Sequence, residues 1–269
     1  MFESISIIGC GLIGSSILRA VSKKKISKTI KVYDKSKEVL SFLKQENLTN
    51  QIFNNIQEAV KDADLIIIAA PLSSYKEILL SIKDDVKKNS ILTDTGSAKK
   101  EVNKIIENLN IKNISWIASH PIAGTEESGP KAGFAELFEN RWCILSASKN
   151  SIKDDIVKIR NFWEQLGSKV KLMSFEEHDH ILSLTSHLPH AVAYSIVRTA
   201  INNDDKFKQE VIQYSAGGLR DFTRIAASDP VMWRDIFIDN SDNIIKVLDK
   251  FSNNLEEIKK AIKEKNGDK

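Results

Sequence analysis

All five histidines of the chain, His120, His178, His180, His187 and His190, fall between residues 120 and 190. A neutral imidazole, with a reference pKa of about 6.5, takes up and releases protons near neutral pH. The capacity for acid–base chemistry is therefore concentrated in one stretch. His120 lies in Ser119-His120-Pro121, followed by Gly124, Glu126, Gly129 and Pro130. His187 and His190 are three residues apart, on either side of Leu188-Pro189, and share one face of a helix. They are candidates to line a pocket, with core packing as the alternative. A metal pair would need further ligands at suitable spacing, and the sequence offers none, so no metal is expected. His178 and His180 read as exposed residues in the first turn of a helix.

Two other segments carry reactive or binding groups. Gly217-Gly218-Leu219-Arg220-Asp221-Phe222-Thr223-Arg224 runs on to Asp229-Pro230 and Trp233. The planar fork of Arg224 suits a carboxylate; a structural ion pair with Asp221, one helix turn earlier, is the alternative. In Thr93-Asp94-Thr95-Gly96-Ser97-Ala98-Lys99, Ser97 offers a hydroxyl that could act in a site, cap the following helix, or do both.

A nucleotide-binding signal opens the chain. Ser4–Ile8 reads as a strand, and it runs into Gly9-Cys10-Gly11-Leu12-Ile13-Gly14, after which a helix begins. In this context the glycines have separate tasks. Gly9 permits the tight turn, Gly11 lets the backbone approach a pyrophosphate, and Gly14 lets helix and strand pack closely. Backbone N–H groups at the helix start, from Leu12, Ile13 and Gly14, face the negative charge. Asp34 closes the second predicted strand. Its carboxylate accepts hydrogen bonds from a ribose 2′-hydroxyl and repels a 2′-phosphate, which favours NAD over NADP. Lys35 and Lys37 nearby weaken that preference. Ala70 and Pro71 follow the apolar run Leu65–Ala70, and are expected along the cofactor or in loop packing.

The elements that must position these groups follow one pattern. Strands at Ser4–Ile8, Thr29–Tyr33, Leu65–Ala70, Ser90–Thr93, Ser115–Ala118, Trp142–Ser146 and Lys169–Met173 alternate with helical stretches. Such alternation predicts an α/β fold, a Rossmann-like doubly wound and mostly parallel sheet with helices on both faces. It places His120 at a strand's carboxyl end, the edge where open sheets of this class bind ligands. From Ser174-Phe175-Glu176-Glu177, a capping-box sequence, the pattern turns helical. The predicted domains are 1–174, binding a dinucleotide, and 175–269, all helical. In the last helix Ile244, Leu248, Phe251, Leu255, Ile258 and Ile262 form a narrow apolar seam, for packing within its own domain or against a second subunit.

Composition narrows the class. The chain has 269 residues, 42% hydrophobic and 28% charged, with a formal net charge of +3. That excess is too small to argue for nucleic acid. No apolar run is long enough for a membrane span, and no signal segment is evident before the first strand. The two cysteines, Cys10 and Cys143, form no CxxC pair, which suits a reducing cytoplasm.

The SHPIAGTEESGP and GGLRDFTRIAASDP segments, with the glycine turn, the Ser97 segment and the His187/His190 pair, resemble prephenate and arogenate dehydrogenases. The resemblance runs in order from about residue 5 to about residue 240, nearly the whole chain. It implies NAD-dependent oxidative decarboxylation of a cyclohexadienyl acid, with prephenate or arogenate as the small-molecule substrate, and a homodimer formed through the helical domain. His120 matches the catalytic histidine that takes the substrate's hydroxyl proton, and Ser97 the serine bonded to the same hydroxyl. Arg224 matches the arginine holding a substrate carboxylate. His190 and His187 match pocket-lining positions, and Glu126 and Asp221 match acidic positions near the entrance. Trp233 is expected to help close the pocket, from its own or the partner subunit. Two other readings compete: a different two-domain NAD oxidoreductase acting on a hydroxy or imino acid, and an NAD-binding module without catalysis. The His120, His190 and Arg224 segments argue against both.

Overall fold

The computed structural model describes residues 2–49, 51–111, 114–148, 151–202, 209–210 and 213–267. The chain forms two compact units, 1–178 and 179–269. The first is built on eight strands: β1 (Ser4–Ile8), β2 (Thr29–Tyr33), β3 (Gln51–Phe53), β4 (Leu65–Ile68), β5 (Ser90–Asp94), β6 (Ile114–Pro121), β7 (Trp142–Ala147) and β8 (Lys169–Leu172). They form one sheet in the order β3-β2-β1-β4-β5-β6-β7-β8. Every neighbouring pair is parallel except β6 and β7. The predicted α/β class is therefore the observed one.

Helices α1 (Leu12–Lys24), α2 (Lys37–Gln45), α3 (Ile56–Val60), α4 (Tyr75–Ile82), α5 (Lys100–Leu109) and α6 (Lys153–Gln165) connect the strands. All four residues of β4 are buried, because this strand lies between β1 and β5 and is covered on both faces. Ile5, Ile7, Leu65 and Ile67 pack with Ile17, Leu18 and Val21 of α1 in the core. From β1 the chain turns first towards β2 and β3, then returns to place β4 on the other side of β1. The carboxyl ends of β1 and β4 thus flank a topological switch point, the usual ligand crevice of such sheets.

Among the described residues the second unit has no strand. Helix α7 (Phe175–Leu182) crosses the division between the units. Its capping box forms: Ser174 Oγ accepts from the Glu177 backbone N–H at 3.1 Å, and the Glu177 carboxylate accepts from the Ser174 N–H at 2.9 Å. The helix widens into a π turn at Ser183–His187 and continues as α8 (Leu188–Ile201). Pro189 is the physical cause. It has no N–H to donate, and its ring would collide with the carbonyl four residues earlier in a regular α-helix. Then come α9 (Gly217–Ala226), α10 (Pro230–Asp239), whose Asp229 cap accepts from Met232 N–H at 2.8 Å, and α11 (Ser241–Lys263). The seam of α11 divides in two. Ile244 is buried, whereas Leu255, Ile258 and Ile262 are 48%, 56% and 72% exposed. Packing within its own unit therefore covers only the first part of the stripe.

Candidate active site

The glycine turn follows β1 directly. Gly9 has φ +90°, and a Cβ there would lie 2.6 Å from the Ala69 carbonyl oxygen. A Cβ on Gly14 would lie 1.9 Å from the Gly9 carbonyl oxygen. These two positions are closed to any side chain. Gly11 is different, since a Cβ there would meet nothing within 4 Å. The space is open where a ligand backbone would approach. Gly11 is also the N-cap of α1 and offers no side-chain acceptor, and the first turn carries no acidic residue. The N–H groups at the start of α1, from Leu12 to Gly14, therefore suit a phosphate anion.

Asp34 lies just beyond β2. Its carboxylate accepts from the backbone N–H of Cys10 at 2.7 Å and of Ser36 at 2.8 Å. It is thereby tied to the glycine turn. Cys10 itself is buried, and burial together with the neighbouring Asp34 charge pushes its thiol far up, so it stays an unreactive thiol. Ala70 and Pro71 leave the carboxyl end of β4, and the Ala70 nitrogen packs against Gly9. The turn, the acidic residue and this loop fit a dinucleotide.

His120 lies at the carboxyl end of β6, opposite Ile144 of β7. It is 8% exposed. Its Nδ1 is 2.8 Å from Nε2 of His178, with ring centroids 5.0 Å apart. His178 is fully buried. The expectation of an exposed His178 is therefore corrected, while His180 is exposed as expected. A first-turn position says only that the backbone is near a helix end. The ring's burial is decided by a partner 58 residues away in sequence, which no local pattern reveals. A pair of neutral imidazoles bonds only if one ring donates. Donation from His120 Nδ1 leaves His120 Nε2 with the lone pair that a base requires.

Ser97 is half-buried in the turn between β5 and α5. Helix α5 takes Lys99, not Ser97, as its N-cap, without a side-chain cap bond. The capping alternative for Ser97 is thus not what the structure shows. Glu126 is exposed in the loop that follows β6. That loop returns to the nucleotide helix: Phe134 N–H donates to Ser16 Oγ at 3.1 Å, and an Arg19 N–H donates to the Pro130 carbonyl at 3.3 Å.

In the helical unit His190, Trp233 and His187 form one cluster. His190 stacks on Trp233 with centroids 3.6 Å apart and planes 18° apart. His190 Nδ1 is 2.9 Å from the Ser186 carbonyl oxygen. A carbonyl only accepts, so Nδ1 carries the proton and Nε2 is left as an acceptor. Burial lowers the proton affinity of this ring below the ordinary histidine range, partly opposed by the same backbone bond. His187 is fully buried behind it. The Asn240 amide donates to the Asp179 carbonyl at 2.8 Å and lies 3.1 Å from His187 Nδ1. Trp233 is 5% exposed. Its indole is stacked on His190 of the same chain. Arg224, in the last turn of α9, is exposed and only loosely paired with Asp221, at 3.9 Å. An exposed contact of that length contributes little stability, so the guanidinium is available to a ligand. Among the described residues no three histidine, cysteine or carboxylate side chains gather as metal ligands.

Known proteins bear on both units. Residues 17–172 match the family model described as prephenate dehydrogenase, nucleotide-binding domain, and residues 174–269 match prephenate dehydrogenase, dimerization domain. A cyclohexadienyl dehydrogenase of Zymomonas mobilis is 40% identical over 268 residues, covering 100% of this chain and 91% of that protein. A prephenate dehydrogenase of Bacillus subtilis is 33% identical over 261 residues, covering 97% and 69%. The crystal structure of prephenate dehydrogenase from A. aeolicus with hydroxyphenyl propionate and NAD+ superimposes with a TM-score of 0.90 at 31% identity, covering 98% of this chain and 92% of that one. The chain belongs to the prephenate dehydrogenase family and is an NAD-dependent dehydrogenase.

Proposed function

We propose that this enzyme oxidatively decarboxylates prephenate, arogenate or both on the route to tyrosine, with His120 as the base. The observation that carries the assignment of the base is the place of His120. It ends β6, on the same sheet edge as the glycine turn after β1, and its Nδ1 is engaged by His178. Substrate and nucleotide then meet at one edge.

NAD, which the glycine turn and Asp34 would hold, would supply the hydride acceptor. The remaining work falls to the chain. His120 Nε2 takes the proton of the C4 hydroxyl as hydride leaves C4, and Ser97 hydrogen-bonds that hydroxyl. The C1–carboxylate bond breaks, its electron pair enters the ring, and carbon dioxide departs. The ring becomes aromatic, which drives the step forward. Arg224 holds a substrate carboxylate. His190 presents Nε2 to the substrate side chain, with Trp233 as its buttress and His187 behind. Glu126 and Asp221 are assigned to substrate binding, where a carboxylate favours the ammonium of arogenate over the keto group of prephenate. Residues 1–174 serve as the nucleotide domain, and 175–269 as the domain for substrate binding and dimerisation. The exposed half of the α11 seam supports a homodimer through that domain. Both cysteines are free and buried, and we place the enzyme in the cytoplasm.

The test is a steady-state assay of purified enzyme with both substrates and both cofactors. Reduced nicotinamide and carbon dioxide are expected in equal amounts from at least one substrate, faster with NAD than with NADP. Turnover of neither substrate refutes the assignment.

A further inference from the structure

Directly below the proposed base lies an ion pair that the reaction itself does not use. Asp94 ends β5 and Lys99 precedes α5, and Lys99 Nζ is 2.6 Å from Asp94 Oδ2. The two side chains are 0% and 1% exposed. Removing both charges from water is expensive, and apolar residues of the same volume would often be as stable or more so. Stability alone is a poor reason for such a pair.

Its hydrogen bonds suggest another. Asp94 Oδ2 also accepts from the Gly96 N–H at 3.0 Å and from the Tyr75 hydroxyl at 3.2 Å. Asp94 Oδ1 accepts from the Ser119 N–H at 3.1 Å. Thr93 and Ser119 share a hydroxyl–hydroxyl bond of 2.6 Å alongside. Gly96 immediately precedes Ser97, and Ser119 immediately precedes His120. One carboxylate thus grips the backbone one residue before each group assigned to the substrate hydroxyl. The turn has no slack, since a Cβ on Gly96 would lie 2.6 Å from Leu72 Cδ2 and 3.0 Å from Asp94 Oδ2. Burial and the Asp94 charge push the pKa of the Tyr75 hydroxyl well up, so it keeps its proton, within reach of Asp94 Oδ2 and, at 3.3 Å, of the Ile68 carbonyl.

We propose that the buried Asp94–Lys99 pair is a positioning element that sets Ser97 and His120 at their mutual distance. Lys99 sets its ammonium against the carboxylate that accepts from every donor around it. An amide in its place would turn an N–H towards the same donors. Neither residue touches substrate in this account, and the proposal rests on the roles given above to Ser97 and His120.

Lys99→Met, Asp94→Asn and Tyr75→Phe, each as the full chain, are compared with the parent enzyme for NAD affinity, kcat, KM and the ring-nitrogen NMR signals of His120. Displacing a reacting group by about 1 Å can cost on the order of 100-fold in rate. Lys99→Met and Asp94→Asn should lose kcat on that scale per NAD-binding site, with KM and NAD affinity within about threefold of the parent. Their His120 signals should move. A purely structural pair would lower the melting temperature and leave both kcat per site and the His120 signals in place, and that result overturns the proposal. If the charge variants fail to bind NAD, Tyr75→Phe decides, since it removes one donor and no charge. Unchanged kcat and unchanged His120 signals in Tyr75→Phe then overturn the proposal, and a kcat loss with shifted signals supports it. Should the parent turn over neither substrate, the functional reading fails, and the His120 signals still decide the positioning role.

Discussion

His120 Nδ1 and His178 Nε2 lie 2.8 Å apart, inside the nucleotide-binding unit, with the second ring fully buried. A base that uses Nε2 needs its other nitrogen occupied, so that the proton sits where it does no harm and the ring cannot turn. His178 supplies that contact. In the proposed mechanism it is a positioning residue, acting through His120.

Replacing His178 by Phe keeps a planar ring and removes the bond. The expected result is a fall in kcat of roughly 10- to 100-fold, with NAD affinity and KM retained. His178→Gln, which can still accept from Nδ1–H, should recover part of that loss. Steady-state kinetics of the two variants check the pair, and equal activity of His178→Phe and the parent enzyme would remove His178 from the mechanism.

Arg224 is more than half exposed, and its ion pair among the described residues is the 3.9 Å contact with Asp221. A charge-assisted bond to a substrate carboxylate contributes about 1.5–3 kcal/mol. Arg224→Ala should therefore raise KM by roughly 10- to 100-fold and leave NAD affinity unchanged. An unaltered KM for both substrates would refute the carboxylate role. Asp221→Ala should be mild on stability, because an exposed pair of this kind adds little.

Asp34 serves two masters, the N–H groups of Cys10 and Ser36 on one side and the proposed ribose hydroxyl on the other. Asp34→Ala should weaken NAD and narrow its advantage over NADP, as read from KM for each cofactor. Because Lys35 and Lys37 stand nearby, NADP binding should improve in absolute terms once the carboxylate is gone. Unchanged cofactor preference would count against the assignment.

These particulars also show what a sequence can and cannot carry. The glycine turn, the capping box at Ser174 and the Asp229 cap were legible because each is decided by residues within a few positions of one another. So was β4, whose unbroken apolar run admits few other readings. β3 and α3, with 3 and 5 residues, are too short to show a period, and their existence depends on the strand and helices beside them. The burial of His178, and the enclosure of Lys99 against Asp94, are long-range or packing outcomes. Lysine at a predicted helix start reads as solvated surface, and only the assembled sheet edge shows it closed in. The tautomer-fixing contacts of His120 and His190 were out of reach for the same reason, since each depends on the ring's own orientation.

The exposed end of the α11 seam gives a prediction on assembly. Leu255, Ile258 and Ile262 continue a stripe whose first residue, Ile244, is buried. Apolar side chains in a row on a long helix are costly to leave in water, at about 25 cal/mol for each Å². Leu255→Glu combined with Ile262→Glu should shift the protein from dimer to monomer in sedimentation or light scattering. A parent enzyme that is already monomeric at micromolar concentration would overturn the dimer.

The base at His120 is tested most directly by the kcat of His120→Asn beside the parent enzyme, in the presence of NAD and saturating substrate. Loss of a general base is expected to cost roughly 10²- to 10⁴-fold, while NAD affinity and the melting temperature stay close to those of the parent. A variant that folds, binds NAD and turns over near the parent rate would contradict the mechanism at its centre.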